Sequence, residues 1–202
     1  MSGQIGFCFC QDRCIGCATC QIACKEKNNL PPGQWFRKVQ EIAGGGYTQD
    51  GQGVENNVYA YWLSMACNHC REPLCSSSCP TGAIVKRPED GIVLIDEDKC
   101  IGCRQCIGAC PYGALQYNSE LQKVSKCDFC AGLLAQGEQP ACIAACPMRA
   151  LQHGLVEDLE KENGVIFRLK GMPDAEITKP SMIISPHKDS ERNFPNKRDA
   201  GR

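Results

Sequence analysis

No apolar stretch in this 202-residue chain approaches the ~20 residues that a bilayer-spanning helix needs. No membrane-crossing helix is therefore expected, and any membrane contact would come through a partner. Neither charge dominates, since 22 Lys and Arg face 23 Asp and Glu for a formal net charge of −1. No basic patch carries interleaved aromatics, so the footprint of nucleic-acid binding is missing. There is no phosphate-cradling Gly-x-Gly-x-x-Gly. The histidines number only three (His69, His153 and His187) and are widely separated, so no Ser/His/Asp set can be assembled. The opening Met1-Ser2-Gly3-Gln4 lacks a basic stretch leading into an apolar run, and no secretory signal is expected.

Cysteine is abundant instead, 18 of 202 residues. Sixteen of the eighteen fall into four groups: Cys14-x2-Cys17-x2-Cys20-x3-Cys24, Cys67-x2-Cys70-x4-Cys75-x3-Cys79, Cys100-x2-Cys103-x2-Cys106-x3-Cys110 and Cys127-x2-Cys130-x11-Cys142-x3-Cys146. Disulfide scaffolds belong to short secreted chains, which the opening argues against. Structural zinc takes two separated Cys-x2-Cys pairs around one tetrahedral ion. The x2-x2-x3 run differs, because three close thiolates reach three corners of one cube and the fourth points to a second cube. Four groups thus predict four [4Fe–4S] clusters. A cubane with four thiolate ligands has no open iron site, so the expected work is electron transfer and no catalytic residue is expected.

Applying the exchange rule of two-cluster ferredoxins assigns the ligands. Groups two and three are separated only by Ala83-Ile84-Val85-Lys86, a turn at Pro88-Glu89-Asp90-Gly91, and Ile92-Val93-Leu94-Ile95, which reads as a hairpin. They make one compact unit, and groups one and four pair across it. Cluster 1 takes Cys14, Cys17, Cys20 and Cys146. Cluster 2 takes Cys24, Cys127, Cys130 and Cys142. Cluster 3 takes Cys67, Cys70, Cys75 and Cys110, and cluster 4 takes Cys79, Cys100, Cys103 and Cys106. The fold class expected is α+β: two bacterial-type 2[4Fe–4S] ferredoxin-like units, one inserted in the other, plus an extended C-terminal tail. Residues 1–60 with 118–155 form the first unit, including a Gly-rich loop at 43–53, and 61–117 form the second. Residues 156–202 supply a helix over Val156–Asn163, closed by Asn163-Gly164, and a polar tail held by a partner surface.

An internal repeat supports duplication. Cys79-Pro80, Cys110-Pro111 and Cys146-Pro147 each lead into a similar step, and proline ends the short helix before it. Lys25 follows Cys24 instead, so that helix continues to about Asn28-Asn29. Val58 to Met65 reads as a strand. Sixteen thiolates and four oxidised cubanes would change the net charge from −1 by about −16 and about +8, to about −9. Lys25, Arg71, Lys99, Arg104 and Lys126 stand beside cysteines and can offset part of this, or can be ordinary surface charge. His69 is read as a turn residue facing solvent or a partner, the alternative being a hydrogen bond to a cluster sulfur. Cys8 and Cys10 alternate with Phe7 and Phe9 on a strand and are expected to pack as small apolar residues.

Arg13 through Lys25 (RCIGCATCQIACK), Phe36-Arg37-Lys38 leading to Glu41-Ile42-Ala43-Gly44-Gly45, Cys67-Asn68-His69-Cys70, Asp96 through Arg104 and Cys110-Pro111-Tyr112-Gly113-Ala114 resemble the electron-transfer subunit of anaerobic dimethyl sulfoxide reductase. Gln116-Tyr117-Asn118 and Thr178-Lys179-Pro180 extend the similarity. The resemblance implies a three-part complex. A molybdopterin-containing catalytic subunit would reduce the substrate, and an integral membrane anchor subunit would oxidise quinol. In the related nitrate reductase subunit, a tryptophan replaces one cysteine of the third group. Cys103 is present here, which keeps the expectation at four clusters. Export in such complexes relies on a signal on the catalytic partner, so either side of the membrane is compatible with this chain. Formate dehydrogenase or a polysulfide, thiosulfate or tetrathionate reductase would use the same wire. A free polyferredoxin carrier is the reading from a different class.

Overall fold

Ile5-Gly6-Phe7-Cys8-Phe9-Cys10 alternates with the period of two that a strand needs. In the computed structural model of the protein it forms β1 (Ile5–Cys10), the centre of a three-stranded sheet. The structure describes residues 3–49, 51, 53–163, 169 and 171–190. β1 pairs antiparallel with β10 (Leu151–Leu155) and parallel with β11 (Met182–Ser185). The register sets Phe7 opposite Met182 and Phe9 opposite Ile184, and these four side chains join the main core. Cys8 and Ile183 face the other way, onto Val156 and Leu159 of α6 (Val156–Asn163). Cys8 is a buried apolar packing residue, as its alternation suggests.

Short pieces complete the fold. β2 (Lys38–Gly44) pairs antiparallel with β5 (Tyr59–Met65). β3 (Tyr47–Gln49) and β4 (Val54–Asn56) form an exposed hairpin where the glycine-rich stretch reads as loop. Three-residue strands without a buried face leave no periodic trace. β6 (Ile84–Lys86) pairs with β7 (Val93–Ile95) as the hairpin expected there, and β8 (Gln116–Asn118) pairs with β9 (Lys123–Ser125). The remaining helices are α1 (Thr19–Lys27), α2 (Leu74–Ser77), α3 (Gln105–Ala109), α4 (Ala131–Ala135) and α5 (Ala141–Ala144). α1 outruns α2 and α5 because Lys25 stands where each of those has proline after its closing cysteine. α1 packs against α5, and α2 against α3. The buried residues of α1 are Cys20 and Cys24, one turn apart on the same face.

The expectation of a partner-held tail is corrected as far as Ser190. Met182, Ile183 and Ile184 are buried in the sheet and pair with β1 at the other end of the sequence. The segment before β11 is pinned to the second cysteine group: Arg71 N–H donates to Lys179 O at 2.8 Å, Glu72 N–H to Thr178 O at 3.0 Å, and Ser181 N–H to Asn68 O at 3.0 Å. His187 N–H then donates to Gln11 Oε1 at 3.0 Å. Buried apolar side chains and satisfied backbone hold this segment, so it needs no partner to be ordered. α6 is described as far as Asn163, and the expected closure at Asn163-Gly164 lies outside the described residues, as do residues 191–202. Among the described residues no helix is long and apolar enough to cross a membrane.

Candidate metal centres

None of the eighteen cysteines forms a disulfide. The loops between closely spaced cysteines turn through left-handed backbone, at Gly16 and Ala18 in group one and at Gly102 and Arg104 in group three. Such turns let the short loop reverse direction between successive cysteines. Glycine is required at two of these positions. A side chain at Gly16 would run into the Trp62 indole, and one at Gly102 into the carbonyl oxygen of Gln122.

The fold brings cysteines from distant segments together. Cys14, Cys17, Cys20 and Cys146 line one cavity, with Ser64 and Met148 on its wall. Cys79, Cys100, Cys103 and Cys106 line another. Cys24 lies among Cys142 and Cys130, and Cys127 lies against Cys24 and Cys142. Cys70 and Cys75 both lie near Cys67 and Cys110. Electrostatic interaction also links Cys20 with Cys142 and Cys127 with Cys67. Among the described residues, no three His, Cys, Asp or Glu side chains close to the spacing of a single ion. The thiols ring wider spaces with largely apolar walls, a donor set that fits iron–sulfur cubanes.

Burial grades the thiols. It pushes Cys24 and Cys75 up to about 12 and Cys70 to about 11, and raises Cys127 well above the ordinary thiol value. At the outer gatherings Cys17 is lowered by the Thr19 hydroxyl, 3.3 Å from its sulfur. Cys17 and Cys103 are exposed, and Ile15 and Ile101 beside them are 53% and 66% exposed.

His69 does not face solvent or a partner, which corrects the sequence expectation. It is fully buried, with Nδ1 accepting the Val93 N–H at 3.1 Å and an edge-on contact with Phe129. Burial, aided by Lys126, Lys86 and Arg37, holds its pKa well below the ordinary histidine value. Of the five basic residues beside cysteines, Lys25 donates to Leu30 O and Pro31 O, Lys99 pairs with Asp96, and Arg104 stacks on Tyr117. Arg71 pairs with Glu160 at 3.8 Å. Lys126 is buried, donates to Val93 O and Cys127 O, and lies near the thiols of Cys75 and Cys127. Sequence reasoning missed a cation deep among the sulfurs, Arg37, which is fully buried near Cys142, Cys127, Cys20 and Cys24. The signal available was an arginine between Phe36 and a strand, and that pattern fits a surface residue equally well.

Comparison with known proteins agrees with iron–sulfur binding. A family described as "4Fe-4S dicluster domain" matches residues 58–156, and a "4Fe-4S binding domain" matches residues 11–27. The protein is 47% identical to the probable anaerobic dimethyl sulfoxide reductase subunit YnfG of Escherichia coli K12, over 94% of this sequence and 92% of that one. It is 46% identical to the B subunit of anaerobic dimethyl sulfoxide reductase from the same organism, with the same coverage. The "Thiosulfate reductase electron transfer subunit PhsB" of Salmonella typhi is 38% identical over 77% of this sequence and 78% of its own. With its iron–sulfur motifs and near-full-length similarity, the protein belongs to the family of iron–sulfur electron-transport B subunits of anaerobic dimethyl sulfoxide reductase.

Proposed function

We propose that this protein is the non-catalytic wire of a respiratory reductase. Four [4Fe–4S] clusters would sit on the ligand sets Cys14/17/20/146, Cys24/127/130/142, Cys67/70/75/110 and Cys79/100/103/106. The observation that carries the proposal is that Cys14, Cys17, Cys20 and Cys146 line one cavity and Cys79, Cys100, Cys103 and Cys106 another, with Cys17 and Cys103 at the surface. Each cubane, when bound, stores and releases one electron. The protein's part is to hold the thiolates, exclude water from the inner gatherings and set the local charge. Packing of α1 on α5 and of α2 on α3 supports two ferredoxin-like units, 61–117 inserted between 1–60 and 118–155.

In this reading electrons come from quinol at an integral membrane anchor subunit. They leave to a molybdopterin-containing catalytic subunit that reduces dimethyl sulfoxide or a similar S- or N-oxide. The protein associates with the membrane only through that anchor. The greater identity to the dimethyl sulfoxide reductase subunits than to the thiosulfate reductase subunit favours this substrate class. The test is metal analysis of the complex purified anaerobically through a tag on this subunit. About sixteen irons on this subunit together with about one molybdenum are expected. Iron without molybdenum or any partner would make the protein a free polyferredoxin, and zinc in place of iron would refute the proposal.

A further inference from the structure

Arg37 immediately precedes β2 and is 1% exposed. Among the described residues no carboxylate pairs with it, and the anionic groups around it are the thiolates of Cys142, Cys127, Cys20 and Cys24. One of its nitrogens is occupied: Nη1 donates to Ser64 O and Ser64 Oγ, both at 3.2 Å. Ser64 Oγ in turn lies 3.5 Å from Cys20 Sγ. Nε and Nη2 are buried without a hydrogen-bond partner. The Phe7 ring covers one face of the guanidinium, 4.9 Å from Cζ to the ring centroid. An arginine cannot shed its proton in a protein, and a buried unpaired charge is strongly destabilising. A fold that buries one must supply an anion. Here the charges that act on it most are sulfurs belonging to two different gatherings.

We propose that Arg37 is the shared counter-ion of the two clusters that meet at α1, raising the reduction potential of both, with Ser64 relaying its hydrogen bond to the Cys20 sulfur alone. This rests on the four-cluster reading above. The reasoning is electrostatic. A one-electron reduction at either cluster adds one negative charge and no proton, the electron arriving from the neighbouring cluster or partner and leaving the same way. A fixed cation held nearby in a low-dielectric interior favours the reduced state. Sharing one guanidinium shifts both potentials in the same direction. The hop between the two clusters therefore stays nearly level while both move relative to clusters 3 and 4. The Nε and Nη2 donors are left over for sulfur, and the Ser64 hydroxyl serves Cys20.

The test is an anaerobic redox titration of the purified complex followed by electron paramagnetic resonance, with iron counted for each variant. In Arg37→Gln, two of the four midpoint potentials are expected to fall. Each should lose at least tenfold in reduced-to-oxidised ratio at a fixed ambient potential, about 59 mV for a one-electron couple. Arg37→Lys keeps the charge and should retain most of the wild-type values, which a purely steric role would not predict. Ser64→Ala should lower one potential only. Arg37→Gln with full iron and four unmoved potentials would overturn the proposal. If Arg37→Gln loses iron, Ser64→Ala decides: a single lowered potential supports the shared counter-ion, and none lowered at full iron overturns it. An iron count well below sixteen in the unaltered protein would instead sink the four-cluster reading.

Discussion

Truncating the side chains of β11 tests whether the C-terminal strand is part of the fold or an appendage. Ile183 and Ile184 are both 0% exposed and point to opposite faces, the first toward Cys8, Val156 and Leu159, the second into the main core. Removing a buried aliphatic side chain of this size costs about 2–5 kcal/mol, from lost transfer energy and the cavity left behind. In a protein of this length one kcal/mol moves the unfolding temperature by about 2–4 °C, so Ile184→Ala or Ile183→Ala should each cost about 4–20 °C. The two side chains share no packing cluster, so the double variant should lose roughly the sum. Ile177→Ala is the internal control. It lies on the same segment but is 49% exposed, and surface changes stay within about 0.5 kcal/mol, or about 2 °C. The assay is the temperature at which the visible iron–sulfur absorbance bleaches under anaerobic conditions, at one fixed scan rate because such unfolding is irreversible. If Ile184→Ala bleaches no earlier than Ile177→Ala, the buried-strand argument fails and the segment is a tail after all.

Three further outcomes are expected. Cys146→Ser should remove or convert the cluster that Cys14, Cys17 and Cys20 otherwise hold; loss instead of one ligated by Cys127, Cys130 and Cys142, seen by electron paramagnetic resonance, would make the crossed assignment wrong. Gly102→Ala should selectively impair the Cys79/100/103/106 cluster, because φ is +68° there and the methyl meets the Gln122 carbonyl. An unchanged cluster count and potential would contradict that close approach. Reconstitution of apoprotein should be graded by pH. Iron binds the thiolate, so a thiol raised to about 12, as at Cys24 and Cys75, must release a proton at any lower pH, and its affinity falls as pH falls. At the outer gatherings Cys17 and Cys79 are lowered instead, while burial raises Cys14, Cys20 and Cys106 less far than it raises Cys24 and Cys75. At about pH 7 the two outer gatherings should therefore fill before the two inner ones, with the inner ones gaining most at about pH 9. Equal filling at both pH values, measured as iron per subunit and signal per cluster, would count against it.

Much of the local structure was readable because its causes are local. Proline after Cys79 and Cys146 stops α2 and α5, and its absence after Cys24 lets α1 reach Lys27. The run Val58–Met65 marks β5, the Pro88–Gly91 turn marks the β6–β7 hairpin, and α6 begins at Val156 as expected. β11 was not readable. Met-Ile-Ile-Ser is too short for a period to separate strand from loop, and it sits among prolines and polar residues. Its partner, β1, begins at Ile5, and nothing near position 182 reports on it. The same holds for His69 and Arg37. Histidine and arginine are polar by type, and only surrounding Phe7, Phe129 and sulfur make them buried.

The sequence by itself determined the donor chemistry, sixteen thiols in runs whose spacing suits cubanes, together with the short helices and hairpins between them. Those follow from residues only a few positions apart. Tertiary structure alone decided which thiols are buried most deeply and where the Arg37 guanidinium lies among them. Burial and proximity across the fold are collective properties of the packed whole, and no short stretch of residues contains them.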